Sequence, residues 1–153
     1  MNYYVISRIA KEYHQKQYDL VDLIEGDPFI PHLHNPYDMS HDKLSLDVFC
    51  KDRTAMENSD CGVVSLPIGE DCSSEVGWYA GNKKPVYVII QSIHEYVNLK
   101  PIWMVKGFLT TCFVINNCEL YTFIRGSDPI LRHKTKYVKL HSKEKLNLEK
   151  EKG

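Results

Sequence analysis

The sequence predicts an α/β domain in which a mainly parallel, five-stranded sheet lies between two layers of helices. Three observations support this fold class. Short β-branched and aromatic runs alternate along the chain with longer segments of helical periodicity. Clusters of Gly, Pro, Asn and Asp separate the two kinds of segment. An apolar fraction of 43 % in 153 residues is enough for one domain with a buried core.

The predicted strands are short, and turn residues bound most of them. Pro31 lies inside the second strand and favours an edge position, because proline has no N–H to donate to a neighbour. The runs that follow Asp60 and Lys84 are apolar throughout, as is typical of strands buried on both faces. In chain order the predicted strands are 3–9, 29–33, 61–66, 85–90 and 111–116.

Helices are predicted between these strands. They span 11–24, 43–58, 75–82 and 101–109, while 118–125 is a helix or a strand and 92–99 is a loop. The alternation indicates a flavodoxin/Rossmann-like three-layer sandwich with strand order 2-1-3-4-5. In that order the first and third strands lie side by side at the point where the chain reverses direction across the sheet.

The charges of the chain are unevenly placed. The segment 129–153 carries eight Lys or Arg and three Glu, a net charge of +5, whereas the remainder carries −6. Gly126 to Pro129 breaks the chain before this segment. We therefore predict one domain over 1–128 and a basic C-terminal tail or helix over 129–153. Such a tail can contact nucleic acid or an acidic partner, or it can be a solvated helix or a disordered end.

Other features indicate a reduced, cytoplasmic protein. No apolar run approaches the roughly 20 residues that span a bilayer. The first residues lack a basic region followed by an apolar stretch, so we expect no secretory signal. The five cysteines have no paired metal-type spacing. We predict neither a metal nor a cofactor.

Three histidines fall within ten residues, at His32, His34 and His41. A His-x-His pair on a strand can direct both rings to one side and begin a metal site. No carboxylate or cysteine at ligand spacing completes the set, and a zinc site needs at least three placed ligands. We interpret the segment 34–41 as a loop on the substrate side of the domain.

The stretch from Asn58 to Gln91 reads as strand, loop, helix and strand, which is one βαβ unit. Ligands bind at the loop that follows the first strand of such a unit. Glu75 is predicted in the first turn of the helix, where free N–H groups and the helix dipole favour an ionised carboxylate. Such a group can attack a sugar carbon, hold a ribose hydroxyl or take a proton. The alternative is that Glu75 only stabilises the helix, with Ser73 or Ser74 as a cap.

The predicted topology brings other polar residues to the same crevice. Ser7 and Arg8 fall at the carboxyl end of the first strand, and Asp52 lies in the predicted helix 43–58, which precedes the third strand. The candidate catalytic residue is Glu75, and the candidate substrate-binding residues are Ser7, Arg8, Gly69, Asp71, Ser73 and Ser74. Asp52 would line the same crevice.

The segment SDCGVVSLPIGEDCSSEVGWYAGNKKPVYVII resembles the central motif of the nucleoside 2-deoxyribosyltransferase superfamily. An Asp precedes the strand, a Gly and Ser loop follows it, a Glu-hydrophobic-Gly-aromatic-Ala helix comes next, and a Lys-Pro pair begins the second strand. The matching residues are Asp60, Gly69, Ser73, Ser74, Glu75-Val76-Gly77, Tyr79-Ala80 and Lys84-Pro85. With weaker similarity in the flanks, the resemblance covers roughly 3–125.

The resemblance implies a function. In that superfamily the motif Glu, here Glu75, attacks the anomeric carbon of a nucleoside or nucleotide and forms a glycosyl-enzyme ester. Water or a second base then resolves the ester. An Asp in the preceding helix, here Asp52, orients the ribose or the base. A neighbouring subunit completes the site in many relatives, so a homodimer or a larger homo-oligomer is implied.

The loop before Glu75 departs from the superfamily pattern. It is shorter than in many members and contains Glu70-Asp71-Cys72 where relatives often have Asp-x-Gly-Thr or a Ser-Gly run. Ser73 and Ser74 at a helix N-terminus could hold a phosphate, whereas Glu70 and Asp71 would repel it. The substrate therefore stays open between a nucleoside, a nucleotide and a larger molecule such as NAD.

Two other functions compete with the N-glycosidase or transferase reading. One is a TIR-like or defence-associated domain that binds or cleaves NAD or another nucleotide, again through Glu75. The other is a non-enzymatic module that contacts nucleic acid or protein through the basic segment 129–153.

Overall fold

The computed structural model of the protein describes residues 1–34 and 42–152. Within them, a six-stranded sheet has the order β2-β1-β3-β4-β5-β6, and every neighbouring pair is parallel. The strands are β1 (Asn2–Ile6), β2 (Asp27–Phe29), β3 (Cys61–Val64), β4 (Val86–Ile90), β5 (Thr111–Ile115) and β6 (Thr135–Val138). The predicted α/β class and the order of the first five strands are confirmed, and the predicted strand count is one too low.

Helices cover both faces of this sheet. They are α1 (His14–Asp22), α2 (Asp42–Asn58), α3 (Glu70–Gly81), α4 (Ile93–Leu99), α5 (Trp103–Phe108) and α6 (Cys118–Ser127). Buried side chains of α2 to α6 pack on one face, and those of α1 pack on the other. None of the helices in the described part of the chain is long and apolar enough to cross a membrane.

The first strand shows how the sequence supplies two cores. Tyr4 and Ile6 belong to the core under α2 to α6, whereas Tyr3 and Val5 belong to the core under α1. These four side chains are at most 1 % exposed. Successive residues of a strand point to opposite faces, so a strand covered on both sides needs apolar residues at every position.

The segment predicted as a basic tail or helix is part of this two-sided packing. It supplies β6, and then Leu146 and Leu148, each 1 % exposed, cover the face on which α1 lies. Leu146 also exchanges backbone hydrogen bonds with Leu23 and Glu25. The prediction was wrong because the few apolar residues of this segment are scattered among many lysines, and because Leu146 and Leu148 belong to the core on the α1 face.

Local boundaries also differ from the prediction. The segment 92–99 is the helix α4 and not a loop, and Ser92 caps it by accepting a hydrogen bond from the Glu95 N–H at 3.4 Å. The second strand is earlier and shorter than predicted, because Pro31–Leu33 forms a 3-10 turn. The uncertain segment 118–125 is helical, and Asn117 caps it.

A buried ion pair fixes the chain near the GSDP segment. Lys106 Nζ donates to Asp128 Oδ2 at 2.8 Å, and their side chains are 5 % and 2 % exposed. The Tyr96 hydroxyl donates to the same oxygen at 2.8 Å. Burial raises the pKa of Asp128, but these two hydrogen bonds, the Leu131 N–H and the charge of Lys106 together hold it below its usual value. The network joins α4, α5 and the end of α6.

Candidate functional site

The candidate site lies where β1 and β3 are neighbours, at the carboxyl ends of these strands. The β1–α1–β2 and β3–α3–β4 connections leave this point in opposite directions, which opens a crevice in parallel α/β sheets. Two buried serines mark it: Ser7 follows β1 and Ser65 follows β3, each 7 % exposed. The Ser65 N–H donates to the Ile6 carbonyl at 2.9 Å and keeps the two strand ends together.

Glu75 lies beside this crevice, but not in the first turn of its helix. The helix α3 begins at Glu70, five residues earlier than predicted, so Glu75 is in the second turn. Its side chain is partly buried, and its Oε2 accepts a 2.5 Å hydrogen bond from the Tyr4 hydroxyl. Tyr4 lies on β1, which makes the contact a direct link between α3 and the centre of the sheet.

The electrostatics of Glu75 are opposite to the sequence-based expectation. Burial raises the pKa of its carboxyl from 4.5 to about 8. The hydrogen bond from Tyr4 opposes that rise, whereas the negative charges of Asp52 and Asp71 add to it. An ionised Glu75 was expected from free N–H groups at the helix start. The earlier start of α3 removes that stabilisation, so the protonated acid predominates at neutral pH.

The ring of Tyr4 is tightly enclosed. It is 0 % exposed and packs against Phe29 of β2 and Tyr79 of α3, at centroid distances of 5.6 and 6.3 Å. Burial and the Glu75 charge both raise the pKa of Tyr4, so its hydroxyl keeps its proton. Tyr79 approaches the sheet over Gly62, where an added Cβ would lie 2.9 Å from the Tyr79 ring. A glycine on β3 therefore permits the packing that confines Tyr4.

Asp52 is brought to the same region, as predicted. It lies on α2, is partly buried, and its charge acts on both Glu75 and Tyr4. Lys84 of the Lys-Pro pair secures the end of this helix. Its ammonium donates to the carbonyls of Met56, Glu57 and Ser59 at 3.2, 2.6 and 2.8 Å. Cations at a helix C-terminus are stabilising, so Lys84 has a structural reason to be there.

Ser7 and Arg8 flank the crevice with most of their polar groups engaged. The Ser7 hydroxyl donates to the Val5 carbonyl at 3.4 Å. The exposed Arg8 guanidinium donates to the Tyr13 hydroxyl at 3.2 Å and to the Ile68 carbonyl at 3.3 Å. It also lies against Gly69, where an added Cβ would be 3.5 Å from its Nε. Arg8 thus joins the end of β1 to the loop before α3.

The structure does not place the two loop serines at the helix N-terminus. Ser73 and Ser74 lie within α3, where their hydroxyls donate to the carbonyls of Gly69 and Glu70 at 3.2 and 3.3 Å. Gly69 is the N-cap, so no side chain caps the helix, and Glu70 and Asp71 occupy its first turn. The two serines are therefore not at the helix start, the position from which they could hold a phosphate, and two carboxylates occupy the first turn.

A groove of about 650 Å³ lies against Phe29 and His34 and does not include Glu75. Residues of β2 and of α2, among them Cys50, Thr54 and Ala55, also line it. The hydrogen-bonded carboxyl, and not the size of a cavity, identifies the candidate site.

The histidines do not form a metal site in the described part of the chain. No group of three or more His, Cys, Asp or Glu side chains there could hold a metal ion. His32 instead stacks on His14 with ring centroids 3.5 Å apart, and His34 stacks on Phe29 at 4.3 Å. The predicted substrate-side loop 34–41 lies outside the described residues except for His34.

Sequence reasoning missed Tyr4 and Phe29. Both fall within predicted strands, 3–9 and 29–33, and neither was named as a site residue. A signal for Tyr4 existed, because it lies in the strand that neighbours β3 and precedes Ser7 by three residues. The length of its side chain lets it reach from the sheet to α3, but only the packing of α3 shows which tyrosine does so.

Comparison with known proteins supports the fold. Neither a protein-family model nor a curated protein matches the chain. Among solved structures, the fold is similar to that of a 2-deoxyribosyltransferase from the psychrotolerant bacterium Bacillus psychrosaccharolyticus, with a TM-score of 0.50 and 16 % sequence identity. The likeness covers 74 % of this chain and 85 % of that chain. At this identity the likeness concerns the fold.

Proposed function

We propose that the protein cleaves the N-glycosidic bond of a nucleoside, deoxynucleoside or nucleotide, or exchanges its base, with Glu75 as the nucleophile. The observation that carries the proposal is the Glu75 carboxyl at the β1–β3 crevice, fixed at 2.5 Å by the Tyr4 hydroxyl. The motif around Glu75 and the fold likeness to a 2-deoxyribosyltransferase support the same chemistry.

In the proposed reaction the two oxygens of Glu75 have different tasks. Oε2 accepts from Tyr4, so Oε1 is the oxygen that attacks the anomeric carbon. The new C–O bond forms as the C–N bond breaks, and the electron pair leaves with the base, which takes up a proton from solvent. Water then hydrolyses the glycosyl ester, or a second base displaces Glu75 and completes an exchange.

The carboxylates of Asp52 and Asp71 oppose ionisation of Glu75 in the empty site but stabilise the transition state. Because the pKa of Glu75 is about 8, the carboxyl must lose its proton before it attacks. The charges of Asp52 and Asp71 oppose that loss in the empty site. Once positive charge develops on the sugar ring, the same carboxylates stabilise it. We assign Asp52 the additional role of orienting a ribose hydroxyl or the base.

A homodimer or larger assembly is part of the proposal. The helices α4 to α6 expose large apolar side chains, led by Trp103 and Met104, each 71 % exposed. Exposed apolar surface of this kind marks interaction sites. The helix α5, which carries both residues, contacts α3, so a second copy bound there would lie next to the helix of Glu75. Sedimentation velocity should show a dimer that Trp103→Lys converts to monomer, and a wild-type monomer at all concentrations would contradict it.

A base-release screen tests the proposed chemistry. Wild type, Glu75→Gln and Glu70→Gln are incubated with pooled nucleosides, 5′-nucleotides and NAD, with and without an added acceptor base, and chromatography reports free and exchanged bases. Glu70 is the matched control because it is an exposed carboxylate on the same helix. Base release by wild type and by Glu70→Gln, but not by Glu75→Gln, supports the proposal. Full activity of Glu75→Gln refutes the assignment of the nucleophile.

A further inference from the structure

The hydroxyl of Tyr4 can hold Glu75 only if its ring is held in turn. Phe29 is the residue paired with Tyr4 across the β1–β2 ladder. Their rings are nearly parallel, at 10°, with centroids 5.6 Å apart. Tyr79 packs against the same ring at 41°. Since the Tyr4 side chain has no exposed surface, these neighbours decide the direction of its hydroxyl.

Phe29 is itself supported by an aromatic neighbour. It lies at the end of β2, a three-residue strand that pairs with β1 at the edge of the sheet formed by the described residues. His34 stacks on its ring at 4.3 Å and 9°. The 3-10 turn before His34 is anchored by His32, which is 7 % exposed and stacks on His14. Tyr4, Phe29 and His34 thus form one column of rings that ends at Glu75.

We propose that Phe29 is a positioning residue for Glu75 that acts through Tyr4. His34 in turn supports Phe29, because it stacks on the Phe29 ring. A flat ring beside Tyr4 restricts tilting of the phenol, whereas a branched aliphatic side chain of similar size does not present a flat face. The 2.5 Å hydrogen bond would then be made for a smaller fraction of the time. The catalytic consequence rests on the proposed function, but the effect on the Glu75 carboxyl does not.

The test follows the Glu75 carboxyl directly, by NMR titration of protein labelled with ¹³C at glutamate side-chain carboxyls. Tyr4→Phe should shift the Glu75 titration to higher pH, because it removes the hydrogen bond that favours the ionised form. Phe29→Leu should shift it in the same direction by a smaller amount, and Phe29→Tyr should restore the wild-type titration. Phe113→Leu makes the same change at a ring that is 1 % exposed in the core on the other face of the sheet, and should have no effect.

Two results would overturn the proposal. One is a Phe29→Leu titration identical to wild type when Tyr4→Phe is shifted. The other is a Tyr4→Phe variant that itself shows no shift. Should Phe29→Leu not fold, the exposed His34 provides a milder variant: His34→Ala should give a smaller upward shift, and an unshifted titration would contradict the role of the column.

Base release separates this inference from the proposed function. At pH 7, Phe29→Leu should lower kcat by several-fold with little change in KM, and Phe29→Tyr should recover it. If no variant releases a base from any substrate, wild type included, the proposed function fails. The carboxyl titrations would still decide whether Phe29 positions Glu75.

Discussion

Replacing Tyr4 by Phe should make the proposed reaction strongly dependent on alkaline pH. The variant loses one oxygen, and the ring keeps its contacts with Phe29 and Tyr79. With a pKa of about 8, most Glu75 carboxyls are protonated at pH 7 in the wild type. A hydrogen bond to a charged group contributes about 1.5–3 kcal/mol. Its loss should lower kcat/KM at pH 7 by about 10- to 100-fold.

The assay is kcat/KM for base release between pH 5.5 and 10. Wild type should gain about tenfold per pH unit below 8 and then level off, because only the ionised carboxylate attacks. Tyr4→Phe should reach its plateau at higher pH. Tyr79→Phe is the matched control, since its hydroxyl hydrogen-bonds Ser59 at 2.6 Å and not Glu75. A Tyr4→Phe profile that superposes on wild type, or moves to lower pH, would refute this account of Glu75.

Three further predictions concern the charges and the packing. Asp52→Asn should lower the pKa of Glu75, because it removes a like charge, and carboxyl NMR would show the titration at lower pH; an upward shift would exclude the repulsion. Asp128→Ala should lower the free energy of unfolding by about 3–5 kcal/mol in urea titrations, since it leaves Lys106 buried without its partner; a loss below about 1 kcal/mol would show that the pair is not buried. Leu146→Ala should lower it by about 2–5 kcal/mol, whereas a residue of a solvated tail would change it by less than about 0.5 kcal/mol.

The first five strands could be predicted because the length of each run and its apolar composition both indicated a buried strand. Apolar runs such as those of β3 and β4 are too short for helices and too uniform for half-buried strands. The sixth strand lacked both signals. Thr135–Val138 contains a lysine and a tyrosine that are only partly buried, as befits an edge. Its place depends on backbone pairing with β5, to which the side-chain pattern contributes little.

The sequence predicted which residues would lie together near Glu75, but it did not predict the protonation state of Glu75. The predicted strand order placed Glu75 and Asp52 at one crevice, and in the structure the Asp52 charge acts on Glu75. The start of α3 could not be predicted, because acids, Ser and Gly are all favourable in a first turn, and several starts fit the loop equally well. The start of α3 decides whether Glu75 lies among the free N–H groups of the first turn or contacts the buried Tyr4. The partnership of Tyr4 and Glu75 joins residues 71 positions apart, and no local pattern encodes such a distance.

The most direct test of the central claim is detection of the glycosyl ester on Glu75. Wild-type protein is incubated with a base-release substrate, or with a 2-fluoro analogue of it that slows breakdown of the ester, then acid-quenched and digested for peptide mass spectrometry. The account predicts a sugar-sized mass increase on the peptide that contains Glu75, absent from Glu75→Gln and present in Glu70→Gln. Base release with no adduct on that peptide, or with an adduct on another residue, would contradict it.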